Sequence, residues 1–235
     1  MDYDPLNPDA EDPEIRKQRL KPRLFRMSES IREDVHRGMD VKGREALHKF
    51  YRMEMPFSEA LKVQEKFLAK LRKDTLGHEV TIRNLNHATD LEKFTELYNA
   101  IFLAAPDPSR SLTLEEARKF EEESTFIALL GSTFAGFIYL TIDKAFTKPN
   151  ALAGAIAGIG VLAKYRGKKI GIRLLNHAID YFKDKDVEFL ICEVYEKNEP
   201  SRRMFEGMGM KIVGYMILEE EEGVVETGLD GQKEE

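Results

Sequence analysis

From Ser28 to Asp74 apolar residues recur at three- and four-residue spacing in "SESIREDVHRGM", "KGREALHKFYRM" and "SEALKVQEKFLAKLRKD". That period puts them on one face of a helix. In the last segment Leu61, Phe67, Leu68 and Leu71 make the stripe, and Ser58 is its expected N-cap. After Gly77 the texture changes. "VTIRNL" (80–85) reads as a short strand. "TDLEKFTELYNAIF" opens with a capping box, Thr89 and Glu92, ahead of a helical stripe from Leu91 to Phe102. "TLEEARKFEEE" repeats the device with Thr113 and Glu116. "TFIALL" and "TFAGFIYLTI" flank Gly131-Ser132, a pair suited to a tight hairpin turn.

"ALAGAIAGIGVL" (151–162) reads as a strand weakened by Gly154, Gly158 and Gly160, residues that mark a bulge or a close approach to the backbone. A helix follows, with Ile170, Leu174, Leu175, Ala178, Ile179 and Phe182 on one face. "VEFLICEVY" (187–195) is a strand, "NEPSRRMFEGMG" (198–209) a helix with an Asn N-cap and a glycine stop, and "KIVGYMIL" (211–218) a closing strand. A strand, a crossover helix and a strand imply parallel pairing, and the hairpin before them is antiparallel. The predicted fold is therefore α/β (α+β), a mixed sheet flanked by helices, with an added N-terminal helical region.

Composition divides the chain further. Residues 1–14 are rich in Asp and Pro without an apolar period and read as a disordered leader. Residues 15–77 are expected to form the helical appendage, 78–218 the main domain, and 219–235 an acidic tail. Arg16 to Leu76 holds 17 Lys and Arg against 9 Asp and Glu, whereas the last 17 residues hold 8 acids and one lysine. The basic segment lacks a recognised nucleic-acid motif, so a protein partner is favoured over nucleic acid. No apolar run reaches a membrane span and the start is acidic, so a cytoplasmic protein is expected. One cysteine, Cys192, and five scattered histidines predict no disulfide and no metal site. The oligomeric state is open.

Charge also singles out "AKYRGKKIG" (163–171), where Lys164, Arg166, Lys168 and Lys169 crowd the start of a helix. A helix N-terminus already carries about half a positive charge. Cations gather there at a cost unless an anion offsets them, so the segment predicts an anion site.

With strand "GIGVL", this loop, the helix after it, strand "ICEV" and "NEPSRRMFEGMGM", the chain resembles the GNAT superfamily of acyl-CoA-dependent N-acetyltransferases. The family's Arg or Gln, Gly, and Gly or Ala positions of the loop fall on Arg166, Lys169 and Gly171. Its asparagine falls on Asn198, and its frequent tyrosine on Phe205. The resemblance covers roughly 140 residues from Val80 and implies acetyl-CoA as co-substrate and an amine, small or on a protein, as acceptor. It implies main-chain bonds from Val161 and Ala163 to the pantetheine arm, and a pyrophosphate held by amides from Gly167 through Lys168, Lys169, Ile170 and Gly171 to Ile172, with Arg166 and Asn198 assisting. Lys169 departs from the family glycine. Phe205 departs from a tyrosine that protonates the leaving thiolate.

The chemistry needs a neutral amine, an oxyanion donor and a proton for the thiolate. Amines have pKa values of about 8 to 10.4, so a base must act at neutral pH. Glu193 is the candidate base, sharing a strand face with Tyr195. Amides between Gly158 and Val161 are candidate oxyanion donors. In place of Phe205, solvent or Tyr139 is the candidate proton source for the thiolate. Two functions stay open: an N-acetyltransferase working by direct attack, and a catalytically weakened CoA-binding module that docks a partner through its basic helices.

Overall fold

The computed structural model describes residues 48–72, 80–107, 111–219 and 223–229. The leader and the segments read as helical before residue 48 lie outside them. Eight strands form one sheet among the described residues: β1 (His48–Pro56), β2 (Val80–Asn84), β3 (Thr125–Leu130), β4 (Thr133–Lys144), β5 (Leu152–Val161), β6 (Phe189–Tyr195), β7 (Lys211–Glu219) and β8 (Gly223–Leu229). Their order is β2-β3-β4-β5-β6-β1-β7-β8, with β5 and β6 parallel and every other neighbouring pair antiparallel. The sheet is mixed, as the crossover and hairpin require.

Among the described residues five α-helices accompany it: α1 (Phe57–Arg72), α2 (His87–Leu103), the single turn α3 (Leu114–Ala117), α4 (Ile170–Phe182) and α5 (Glu199–Met208). One face of the sheet carries α1, α4 and α5 on Met53, Ile138, Leu140, Leu190, Cys192 and Val194. The other carries α2 and α3 on Ile127, Phe137 and Tyr139. The predicted stripe of α4 is buried throughout, from Ile170 at 1% exposure to Phe182 at 0%. Phe182 lies against the backbone of Gly154, where an added Cβ would come within 2.7 Å of the ring. Gly131 turns the β3–β4 hairpin at φ 59°.

Several expectations are corrected. "HKFYRMEMP" is strand β1, not helix, and it enters the middle of the sheet between β6 and β7. Both of its edges are laddered, and its side chains alternate between the two faces. Met53 and Met55 join the helix-covered core, while Phe50 packs with Tyr195 and Met216 on the reverse. Glu54 is buried at 5% exposure because it accepts bonds from the Phe146 (2.6 Å) and Thr147 (3.2 Å) amides and from the Thr147 hydroxyl. The appendage expected over 15–77 therefore supplies sheet from residue 48 onward.

In α1 the buried side chains are Phe57, Ala60, Gln64 and Phe67, leaving Leu61 and Leu68 exposed at 36% and 39%. Ser58 lies inside its first turn rather than capping it. Asn86, not Thr89, caps α2, accepting from the Ala88 amide at 2.9 Å. The expected tail contributes β8, paired with β7.

Candidate functional site

Strands β5 and β6 part company in mid-sheet. Their parallel ladder runs from Ala153–Phe189 to Ile156–Cys192 and ends there. β5 continues to Val161, held on its other side by β4, and β6 continues to Tyr195, held by β1. A register shift beside Tyr139 leaves Ala157 as an extra residue on β5. Such a bulge bends the strand and ends pairing. The backbone between Ala157 and Val161 thus presents an unladdered edge inside a sheet, the kind of template an extended ligand can hydrogen-bond.

A cleft of about 410 Å³ opens at this fork. Its apolar wall includes Ile101, Phe102, Ile159, Val161 and Met204. Its polar end is the turn that begins α4. Leu162 and Tyr165 amides bond back to Ala135 and Leu162 (2.9 and 2.8 Å), and the one-turn 3-10 helix Ala163–Tyr165 delivers the chain to Gly167 at φ 79° and Lys169 at φ 58°. Two left-handed residues so close together swing the chain into α4. The first α4-type bond runs from Arg173 N to Lys169 O at 3.1 Å, so the amides of Ile170, Gly171 and Ile172 precede it. No side chain caps them, and no acidic residue stands in the first turn. By contrast α2, α3 and α5 are each capped by a side chain.

Lys169 meets the family's glycine position with the left-handed geometry glycine would adopt, not with helical dihedrals, and is the one non-glycine residue at positive φ among those described. Of the crowded cations, Arg166 and Lys169 line the cleft. Lys164 and Lys168 lie over the Tyr165 ring at 4.9 and 5.5 Å from its centroid. These amides and cations suit a diphosphate.

In the same cleft the start of α5 meets the segment after α2. The Asn198 carbonyl oxygen accepts from the Ser201 amide at 3.2 Å, while its amide nitrogen donates to the Asp107 carboxylate. Asn198 is thus fixed at both ends and lines the cleft together with Asp107. Burial pushes the Asp107 carboxyl above its ordinary value, opposed by the bond from Asn198 and its own backbone amide. Asp107 was not among the sequence candidates. It stands in the loop "AAPDPSRSLTL", where nothing local separates it from a solvated acid.

The model of the acetyltransferase (GNAT) family matches residues 91–210, half of the chain, and spans the fork, the α4 turn and the asparagine helix. The chain belongs to the GNAT acetyltransferase family. No curated protein matches it. Among solved structures it is similar to a transcriptional regulator from Bacillus halodurans C-125, at 25% identity and a TM-score of 0.46, covering 56% of this chain and 93% of that one. A ribosomal-protein-alanine N-acetyltransferase from Brucella melitensis biovar Abortus 2308 aligns at 20% identity and 0.46, over 55% and 90%. An aminoglycoside acetyltransferase from an uncultured soil metagenomic sample aligns at 17% and 0.45, over 56% and 88%.

Within this GNAT fold the expected site residues divide. Val161, Arg166, Gly167, Lys169, Ile170, Gly171, Ile172 and Asn198 line the cleft together. Ala163 and Lys168 belong to the same turn but not to the cleft wall. Glu193 is the first residue of β6 beyond the parting and, like Tyr139, is not part of the cleft wall. It faces Arg52 of β1, whose Nε lies 3.5 Å from its Oε1, and the Arg52 guanidinium covers the Phe146 ring at 5.0 Å. Tyr139 is corrected. It is 3% exposed, its ring 5.0 Å from that of Phe120 in the aromatic core under α2, and it is not part of the cleft wall.

Phe205 is likewise core, 3% exposed among the residues under α5. His177 is half-buried with its ring 4.4 Å from Phe126, and burial lowers its pKa against the pull of Asp180. Cys192 is a buried small side chain 3.8 Å from the Met210 sulfur. Among the described residues no helix is long and apolar enough to cross a membrane, and no three His, Cys, Asp or Glu are grouped to hold a metal.

Proposed function

We propose that this protein is an N-acetyltransferase that takes its acyl group from acetyl-CoA and passes it to an amine by direct attack. The observation that carries the reading is the start of α4: uncapped amides, surrounded by cations, opening onto the fork between β5 and β6. Acetyl-CoA supplies an activated thioester when bound. The amides of Gly167 to Ile172 hold its pyrophosphate, with Arg166, Lys168 and Lys169 adding charge. Main-chain groups of Val161 and Ala163 hold the pantetheine arm along the unladdered edge of β5.

An amide beside the Ala157 bulge is placed in sequence to stabilise the oxyanion, a fixed dipole acting where water is scarce. Glu193, at the parting, takes the amine's proton directly or through water, with Arg52 keeping the carboxylate in position. The thiolate takes its proton from solvent, since Phe205 has none to give. The second reading, a CoA-binding module without turnover, is motivated by Phe205 and by the burial of Tyr139.

Isothermal titration of the full chain with acetyl-CoA is expected to give one site. A flat titration would overturn the reading. An acetylation assay over mixed amines and peptides then separates the two readings. With the enzyme, product forms above background, and Glu193→Gln lowers kcat about 10²-fold or more while leaving acetyl-CoA affinity unchanged.

A further inference from the structure

Resting on the acyl-transfer reading, we infer that Asp107, braced by Asn198, receives a positively charged ammonium group of the acceptor and so selects alkylamine substrates. Among the described residues the Asp107 carboxylate has no cationic partner. Asp107 is partly buried on the wall of the cleft. Among the described residues its hydrogen-bond partners are the neutral side chain of Asn198 and its own backbone amide. Among the described residues no lysine or arginine pairs with it, although Arg166 and Lys169 line the same cleft. Taking a carboxylate partly out of water is costly unless a cation or several donors compensate.

An ionised carboxylate offers about four acceptor sites, and Asn198 and the residue's own backbone amide use two. The rest can serve a ligand. Asn198 cannot turn to supply its oxygen instead, because that oxygen caps α5 through the Ser201 amide. The carboxylate is therefore held in place before any ligand arrives, which reduces the ordering cost of binding.

The charge also has a meaning for the division of the cleft. The α4 turn is uncapped and cationic, suited to phosphate, and an anion placed inside that turn would repel the ligand. Asp107 lines the same cleft from the segment following α2, with Ala104, Ala105 and Pro106. The same cleft thus offers amides suited to an anion and a carboxylate suited to a cation. A transferase that joins a diphosphate-bearing donor to an ammonium-bearing acceptor needs that pair of opposite preferences.

The test uses the full chain. Wild type and Asp107→Asn are first titrated with acetyl-CoA. Asparagine keeps an oxygen for the Asn198 amide, so this affinity is expected to be unchanged within about twofold. Each protein, saturated with CoA, is then titrated with n-butylamine, spermidine and a short peptide with a free N-terminus, and with aniline, which is uncharged at neutral pH. A charge-assisted hydrogen bond predicts that at least one alkylammonium probe binds the variant about 10- to 150-fold more weakly, with aniline indifferent to the change.

Asp107→Glu, which restores the charge, should recover part of the loss. If no alkylammonium probe distinguishes wild type from Asp107→Asn, the inference is overturned. It is overturned too if acetyl-CoA affinity falls in parallel, because Asp107 would then be a prop for Asn198. A flat acetyl-CoA titration of the wild type would instead remove the acyl-transfer reading itself.

Discussion

Replacing Lys169 by glycine separates two contributions that one residue makes at the phosphate turn. Lys169 sits at φ 58°, ψ 14°, immediately before α4. For an L-residue with a Cβ that conformation costs about 1–2 kcal/mol, a cost glycine does not bear. Glycine in turn loses about 0.5–1 kcal/mol more backbone entropy on folding. The difference leaves Lys169→Gly about 0 to 1.5 kcal/mol more stable than wild type. At roughly 2–4 °C per kcal/mol for a chain of this size, thermal unfolding should rise by up to about 6 °C. The ammonium is lost at the same time. Lys169 is half-buried at the cleft, so its attraction for a phosphate is worth about 0.2–1 kcal/mol, a factor of about 1.5 to 5 in acetyl-CoA affinity.

Two controls make the separation clean. Lys169→Ala loses the charge but keeps the strain, so it should weaken acetyl-CoA by the same factor without raising the melting temperature. Lys169→Ile puts a β-branched residue where φ is positive and should lower stability below wild type. Differential scanning calorimetry and titration calorimetry at low and high salt provide the readings, and the affinity difference should shrink as salt rises. If Lys169→Gly melts below wild type, or melts no higher than Lys169→Ala, the left-handed turn is not a source of strain and the reasoning fails.

Two further outcomes are expected. Phe205→Tyr should not raise turnover, because the ring is buried in the core rather than on the cleft wall; its added hydroxyl should destabilise the fold by about 1–3 kcal/mol in urea denaturation, and a large gain in rate would contradict this placement. His177 has its pKa lowered from 6.5 by burial, so the unfolded chain binds the proton more readily. Its contribution to stability is complete above about pH 6.5 and is lost as pH falls from there toward the folded value. His177→Phe keeps a ring against Phe126 and should flatten the decline of stability below pH 6.5, and equal slopes for variant and wild type would refute the assignment.

What could be read from the chain depended on how local its cause is. The α4 turn was legible because its signals are adjacent in sequence: a glycine-bearing strand, four cations, and a stripe from Ile170 to Phe182. The mixed sheet from Val80 was legible because each strand is bounded by its own turn residues, as Gly131 shows at the β3–β4 hairpin. The glycines of β5 were only half legible. A bulge was expected and one occurs at Ala157, but the groups that approach Gly154 and Gly160 are the side chains of Phe182 and Ile101, not a ligand. Local spacing shows that something comes close and is silent on what.

β1 and Asp107 escaped for a related reason. "HKFYRMEMP" holds too few apolar residues for period two to be told from period 3.6, and what makes it a strand is pairing with β6 and β7, more than a hundred residues away in the chain. Those pairings do more than complete the sheet. By laddering the far side of β6, β1 lets β6 run on to Tyr195 after it has left β5, so the fork is held open by a strand rather than by a loop. It also brings Arg52 opposite Glu193. Asp107 acquires its character in the same way, from Asn198 ninety-one positions later. The α4 turn is thus written in one continuous stretch of sequence, whereas the Arg52–Glu193 and Asp107–Asn198 pairs are assembled from distant ones. Changes in the early strand should accordingly alter the positioning of Glu193 while leaving the α4 turn, and the affinity it confers, intact.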